Sequence, residues 1–318
     1  MIRTLLIALP LVGALAMPAA AEFPERALRI VHGFGAGGNA DTVARVLAEE
    51  MTKAIGQPVV VESRPGAGGT VASDYVSKQD PDGYTMQLMV GGHAVAAGLY
   101  KELPYDSLKD FTFISTIGEF PFFVATQSGK YGSIQDLIAA AKAAPGSIKI
   151  GHSGTGTTQH LTGELLEMRT GADFLHIPYK GGAAAATALM SGEVDVLIDT
   201  GTVVQGQVAA GVFDVLAVSS ENRWPDKPDV PSVAETVSPG FDVVSWTGIA
   251  MPAGVAPEIA DRIRAEVHAA LAKPEVQEKI IALGAAPAMS SGDDMSGLVA
   301  RQIEIWTEVI TGAGIEKL

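Results

Sequence analysis

Between Leu28 and Ile55 the chain reads LRIVHGFGAGGNADTVARVLAEEMTKAI, and this stretch restricts the fold to a few architectures. Leu28, Ile30 and Val31 predict a short apolar strand. Gly33, Gly35, Gly37 and Gly38 remove side chains where that strand ends, so another molecule can approach the main chain. Asn39 and Asp41 are cap-type residues, with Asp41 in or near the first helical turn. Val43, Val46, Leu47, Met51, Ala54 and Ile55 then recur at helical spacing. A glycine turn feeding a helix start aims free N–H groups and the positive end of the dipole at one spot, which favours an anion.

Three readings of that spot compete. Gly33, Gly35 and Gly38 satisfy G-x-G-x-x-G, and the strand Val59–Val61 ends at Glu62, roughly the ~20-residue offset of a dinucleotide fingerprint. That reading makes the chain an exported NAD-dependent oxidoreductase. The plain reading has the glycines merely turning a strand into a helix. The third has the same amides holding a small carboxylate, and a valine at Gly37 is then expected to fill the clamp.

The start of the chain bears on the choice. Arg3, the apolar run Leu5–Met17 and Ala19-Ala20-Ala21 before Glu22 read as a secretory leader over Met1–Ala21. The run is shorter than the ~20 residues a spanning helix needs. The chain has no cysteine, which excludes a lipid anchor on that residue, disulfides, cysteine nucleophiles and thiolate metal sites. The expected location is a Gram-negative periplasm, where NAD(P) is not the currency. Without Arg3 the chain carries 21 basic against 36 acidic residues, a net charge of −15, which argues against nucleic acid and anionic membranes as partners.

Further along, Gly66–Gly69 is a second glycine turn, a helix follows over 70–79, and Tyr84–Val90 is a third apolar strand. Strands and helices alternating at this spacing predict an α/β fold with parallel strands, whose ligands lie beyond the strands' carboxyl ends. His93 is expected in a loop at one such end. Phe111–Gln127 is too broken by Gly118 and Pro121 for one helix and suits an extended crossing between domains. Phe241–Met251 is expected to cross back, with Trp246 in the core, and the tail beyond it is expected to be helical.

The second half repeats the opening device. Ile148–Gly151 is a strand, Ser153–His160 is a loop of glycines and hydroxyls, and a helix runs on through Met168. Gly151-x-Ser153-x-Thr155 departs from the G-x-S-x-G nucleophile elbow at its fifth position, and His160, a turn into the same helix, is badly placed to serve Ser153. A hydrogen-bonding cradle is the simpler reading. Lys180 beside Gly181-Gly182 reads as a solvated lysine rather than a Schiff-base one. No spacing marks a metal site, and Asp199-Thr200 is a further polar strand terminus.

Taken in order, these landmarks resemble the periplasmic solute-binding proteins of tripartite tricarboxylate transporters, the Bug or TctC-like family. The matching pieces include Phe34-x-Ala36-Gly37-Gly38-x-x-Asp41, Gly56-Gln57-Pro58 through Arg64-Pro65-Gly66-Ala67-Gly68-Gly69, Pro81-Asp82-Gly83-Tyr84, Gly156-Thr157-x-x-His160 and Pro178-Tyr179-Lys180-Gly181. They span nearly the whole chain after the leader. Two places depart from the pattern: Gly33 stands where the family has Pro, and Ala97-Gly98 stands where it often has Asn-Pro.

The resemblance implies a two-lobed Venus flytrap, each lobe an α/β sheet, closing on a ligand at the hinge. The expected boundaries are 1–21 for the leader, 22–122 with 243–318 for one lobe and 123–242 for the other. It implies a non-catalytic, monomeric protein without cofactor or metal. Such a protein delivers a small organic carboxylate to the membrane subunits of a tripartite tricarboxylate-type transporter. One jaw comprises Phe34, Ala36, Gly37, Gly38, Asn39 and Asp41, and the other Ser153, Gly156, Thr157, Thr158 and His160. His93, Tyr179, Asp199 and Thr200 are expected to sort the ligand's distal end.

Overall fold

The computed structural model describes residues 23–312 and 314–318, so the expected leader lies outside the described residues. The chain runs β1 (Leu28–His32), α1 (Asn39–Ile55), β2 (Val59–Ser63), α2 (Thr70–Ser77), β3 (Thr85–Val90) and α3 (Gly92–Leu99) before a 17-residue strand, β4 (Phe111–Gln127). It continues through α4 (Ile134–Ala143), β5 (Ile148–His152), α5 (Thr158–Thr170), β6 (Phe174–Pro178), α6 (Gly182–Ser191), β7 (Val196–Thr200), α7 (Gly201–Ala209), β8 (Phe213–Val218) and α8 (Val233–Thr236). β9 (Val244–Pro252), α9 (Pro257–Leu271), α10 (Pro274–Ala282), β10 (Ala286–Pro287) and α11 (Gly292–Gly312) complete it.

Local chemistry sets these boundaries. Gly56, Gly171 and Gly192 close α1, α5 and α6 at positive φ, where a Cβ would be strained. Pro257 and Pro274 open α9 and α10 in the first turn, where a missing N–H costs nothing. Ser133 caps α4 by accepting the Asp136 N–H.

The strands lie in the order β2-β1-β3-β9-β4-β7-β5-β6, with β8 and β10 also pairing to β4. β1 is parallel to β2 and β3, and β5 is parallel to β6 and β7, as two βαβ arrangements. β9 runs antiparallel to β3 and to β4. β4 pairs with β9 from Phe111 to Pro121, then with β7 from Phe122 to Thr126. One strand therefore threads both half-sheets, and its register shifts near Ser115 and Gly118 let it bend on the way.

Ser219 fixes this crossing. Its backbone N–H donates to Phe122 O at 2.9 Å. Its hydroxyl donates to Val243 O at 2.6 Å and accepts from Phe122 N at 2.8 Å. The outgoing strand and the returning chain are thus tied at one buried side chain.

The core follows the elements. Leu28, Ile30, Leu47, Met51 and Met86 pack one half, and Phe123, Ala185, Leu189 and Phe213 pack the other. Trp246 sits in a third cluster with Met89, Phe111 and Phe113, and is 1% exposed, as a core residue. Three helices were not legible in the sequence, one of them the single turn α8. α3, GHAVAAGL, is buried almost all round and so shows no polar face, and α7 opens directly on the β7 terminus. His93, expected in a loop, is the second residue of α3.

Candidate functional site

Five helices begin at one cavity. Gly38 and Asn39 of α1, Gly92 of α3, Thr157 and Thr158 of α5, Gly182 of α6 and Thr200 before α7 all line it. None of the residues lining the cavity is Lys or Arg. Each helix start presents N–H groups that lack intrahelical partners, so the positive potential here is supplied by the main chain.

Each jaw is held by its own hydrogen bonds. In the β1–α1 loop the buried Asp41 carboxylate accepts the Gly37 N–H at 3.0 Å. It also meets His32 Nε2 at 3.2 Å and Arg45 Nη2 at 2.9 Å. Burial pushes Asp41 upward, but the Arg45 guanidinium, the Gly37 N–H and His32 outweigh it and hold the carboxyl below its usual range. In the β5–α5 loop Thr157 Oγ1 donates to Gly154 O at 2.7 Å and accepts the His160 N–H at 3.2 Å, capping α5. The Ser153 hydroxyl lines the cavity, is buried and has no hydrogen-bond partner.

Asp199 closes the far side. Its Oδ1 accepts the Thr200 N–H at 2.8 Å and faces Gln159 Nε2 at 3.5 Å, while Oδ2 is buried without a partner. Burial pushes this carboxyl up to about 6, with the Thr200 and Gln159 hydrogen bonds opposing the shift only in part. Phe34, Val90, Phe120 and Phe122 give the remaining wall an apolar character.

The two jaws touch through glycines. A Cβ on Gly35 would stand 2.4 Å from Lys180 O, and one on Gly68 would stand 3.0 Å from Gly156 O. Main chain meets main chain at both points, a proximity that only residues without side chains permit. A second, wider space of about 400 Å³ opens on the same region, sharing Phe34 and Ser153 with the first and bounded by Tyr100, Tyr179 and Lys180.

Of the residues singled out in the sequence, Phe34, Gly38, Asn39, Ser153, Thr157, Thr158, Asp199 and Thr200 line the cavity. Ala36 and Gly37 form the exposed tip of the first loop, and Gly37, at φ +77°, meets only Ala183 Cβ, 3.7 Å from where its own Cβ would be. Gly37 is therefore required by its backbone conformation and its N–H, not by space in the cavity. Asp41 braces the loop from behind. His93 is buried among Tyr105 and Phe111, with its nitrogens 3.1 Å from Ser73 Oγ and 3.0 Å from Ser107 O, off the cavity wall. Tyr179 donates to Glu193 Oε1 at 2.9 Å, and Gly156 packs beside Leu99 and Tyr100. His160 faces His152 and His176.

Sequence reasoning missed Ala40, Val90, Gly92, Phe120, Phe122, Gln159, Gly182 and Ser245. The Phe120-Pro121-Phe122 run at the crossing of β4 was the available signal for two of them. Glu62, the acidic residue of the dinucleotide reading, pairs with Arg64 at 2.6 Å and Arg29 at 3.5 Å. Ser153 has no imidazole within hydrogen-bond reach, so the elbow reading lacks its base.

A two-part α/β sheet threaded by shared strands, with a cavity of helix starts between the parts, defines a solute-binding protein of the periplasmic type. The chain belongs to the tripartite tricarboxylate transporter family of receptors, the TctC family, whose model matches residues 43–315. It is 34% identical over 304 residues to Protein BugT of Bordetella pertussis, covering 94% of this chain and 93% of that one. Among solved structures it is similar to the periplasmic binding protein BugD, at 34% identity and a TM-score of 0.89, over 93% of this chain and 100% of the other. An R. palustris protein solved with adipate matches at 33% identity and TM-score 0.90, again over 93% and 100%. MatC from Rhodopseudomonas palustris, solved with bound malate, matches at 30% and 0.86 over 91% and 100%. None of these likenesses supports the oxidoreductase reading.

Proposed function

We propose that this chain captures a small organic dicarboxylate and delivers it to the membrane subunits of a tripartite tricarboxylate-type transporter. The observation that carries this is the convergence of five helix starts and the unpartnered Ser153 hydroxyl on a cavity without a cationic side chain. One ligand carboxylate sits on the amides of the Gly38–Ala40 turn, on those of Thr158 and Gln159, and on Ser153. The carbon chain lies against Phe34, Phe120 and Phe122. The distal carboxylate meets Thr200 and a protonated Asp199, whose raised pKa lets it donate. The adipate and malate of two relatives are ligands of this chemical class.

Ligand contacts from both jaws favour the closed form over the open one. The moving bodies are residues 22–122 with 243–318 and residues 123–242, hinged where β4 crosses at Pro121–Phe122 and near Val243. The protein works as a monomer, without cofactor and without catalysis, after export and loss of Met1–Ala21.

Calorimetry and thermal shift of the ligand-stripped protein test this, using four- to six-carbon dicarboxylates, monocarboxylates, tricarboxylates and NAD(P). A ligand at ~100 times its dissociation constant adds about 2.7 kcal/mol of stability. A dicarboxylate response with none to NAD(P) is the expected result. A response to NAD(P) alone overturns the reading.

A further inference from the structure

Outside the cavity the structure gathers three imidazoles. His152 ends β5, His160 lies in the first turns of α5, and His176 is on β6. Their ring centroids are 4.7 to 5.7 Å apart, and each offers a nitrogen within 4.8 Å of the others. None of the three lines the cavity. The register explains the grouping: Ile150 pairs with His176, so His152, two residues on, points to the same face of the sheet. α5 covers that face, and Gly163 makes room there, since a Cβ on it would stand 2.6 Å from His176 Cε1.

The polar satisfaction of these rings is incomplete in an informative way. His152 is 1% exposed, its Nδ1 lies 3.1 Å from Gly154 O, and its Nε2 has no partner. His176 has Nε2 at 3.3 Å from Glu167 Oε2, and its buried Nδ1 has no partner. An imidazole fixed through one nitrogen by a carbonyl or carboxylate, with the other left free, is how proteins orient a metal ligand. Glu164 Oε1 stands 3.3 Å from His160 Nε2 and 3.9 Å from His176 Nε2, at the edge of the same group.

We propose that His152, His160 and His176 form a three-histidine site for one divalent transition cation of the zinc type, with Glu164 orienting His160 through its Nε2 and the fourth position left to water. Imidazole-rich sets suit zinc, copper and nickel, whereas magnesium and calcium require oxygen ligands. Zinc–nitrogen bonds of ~2.0–2.1 Å put tetrahedral ligands ~3.3 Å apart, so side-chain movements of about 1 Å close this group on an ion. The ion joins β5, α5 and β6 at the base of the Ser153–Thr158 loop, and so holds one jaw in place from behind. No linear motif announces the site, because three elements contribute one histidine each at separations that follow no finger or hydrolase pattern.

The test is zinc titration by calorimetry on the full chain without a histidine tag, after chelator treatment, in buffer free of carboxylates. One zinc per chain is expected, with no response to magnesium. Cobalt in its place should give the visible bands of a tetrahedral nitrogen-rich site. His152→Ala and Glu164→Gln should each weaken zinc by at least ~10-fold. Glu164 has a side chain 28% exposed, so its variant keeps the fold, and circular dichroism verifies both. Failure of the unmodified chain to take up one zinc overturns the site, as does uptake unchanged by the substitutions. Because the titration contains no organic acid, its outcome is independent of the dicarboxylate reading.

Discussion

Thr202 Oγ1 lies 2.8 Å from Asn39 Oδ1, joining the first turn of α7 to the first turn of α1 across 163 residues of sequence. Asn39 also lines the cavity, so this contact reports closure directly. A neutral hydrogen bond contributes about 1 kcal/mol net. Thr202→Val should therefore weaken ligand affinity about 5-fold by calorimetry and leave the unliganded melting temperature nearly unchanged. Unchanged affinity would show that the contact does not help closure.

Gly35 tests the glycine-to-glycine fit of the jaws. A methyl group there meets Lys180 O at 2.4 Å, and backbone cannot yield as a flexible side chain does. Gly35→Ala should fold normally, bind ligand at least ~10-fold more weakly and keep the larger solution radius of the open form. Small-angle scattering with and without ligand decides it: a compact liganded variant would refute the steric argument.

How much of this was legible in the residues depends on range. The strand, glycine loop and helix of each jaw were visible because φ-permissive residues and caps act within one turn of the chain. So was the extended crossing of β4, since Gly118 and Pro121 exclude a helix. The apposition of Gly35 to Lys180 was not, because it exists only when two βαβ units face each other. The burial of His93 escapes the sequence for the same reason: Tyr105 and Phe111 cover it, and nothing near it in sequence announces them. From sequence Gly37 reads as leaving space in the clamp, whereas its φ of +77° and its N–H to Asp41 are what the loop uses.

Asp199 makes binding proton-linked. Burial raises its pKa from 3.8 to about 6, so the fold prefers the neutral carboxyl. The sign follows: no penalty exists below the ordinary carboxylate range, and it grows as pH rises through about 6. Asp199→Asn should thus raise stability at pH 7.5, by an amount on the order of 3 kcal/mol at most, and the gain should vanish near pH 4. Thermal unfolding across that range checks the direction. An anionic ligand raises the carboxyl further. Binding near pH 7 should therefore take up close to one proton, seen as a dependence of the calorimetric heat on buffer, and Asp199→Asn should abolish it.

Ser219 is the tie between the outgoing and returning strands. Ser219→Ala leaves Phe122 N and Val243 O each short of one buried bond. The expected cost is about 1–3 kcal/mol in urea unfolding. Values near zero would mean that the remaining Ser219 N–H to Phe122 O bond suffices.

The cavity draws its positive potential from peptide groups rather than from side chains, and this bears on how such a receptor changes its diet. Point substitutions leave peptide amides where they are. A lineage can exchange Val90, Phe120, Phe122 or Gln159 and so alter the length and polarity of the accepted acid, while the grip on its first carboxylate persists. Appetite for anions is inherited with the backbone; the choice among them is rewritten by a handful of codons.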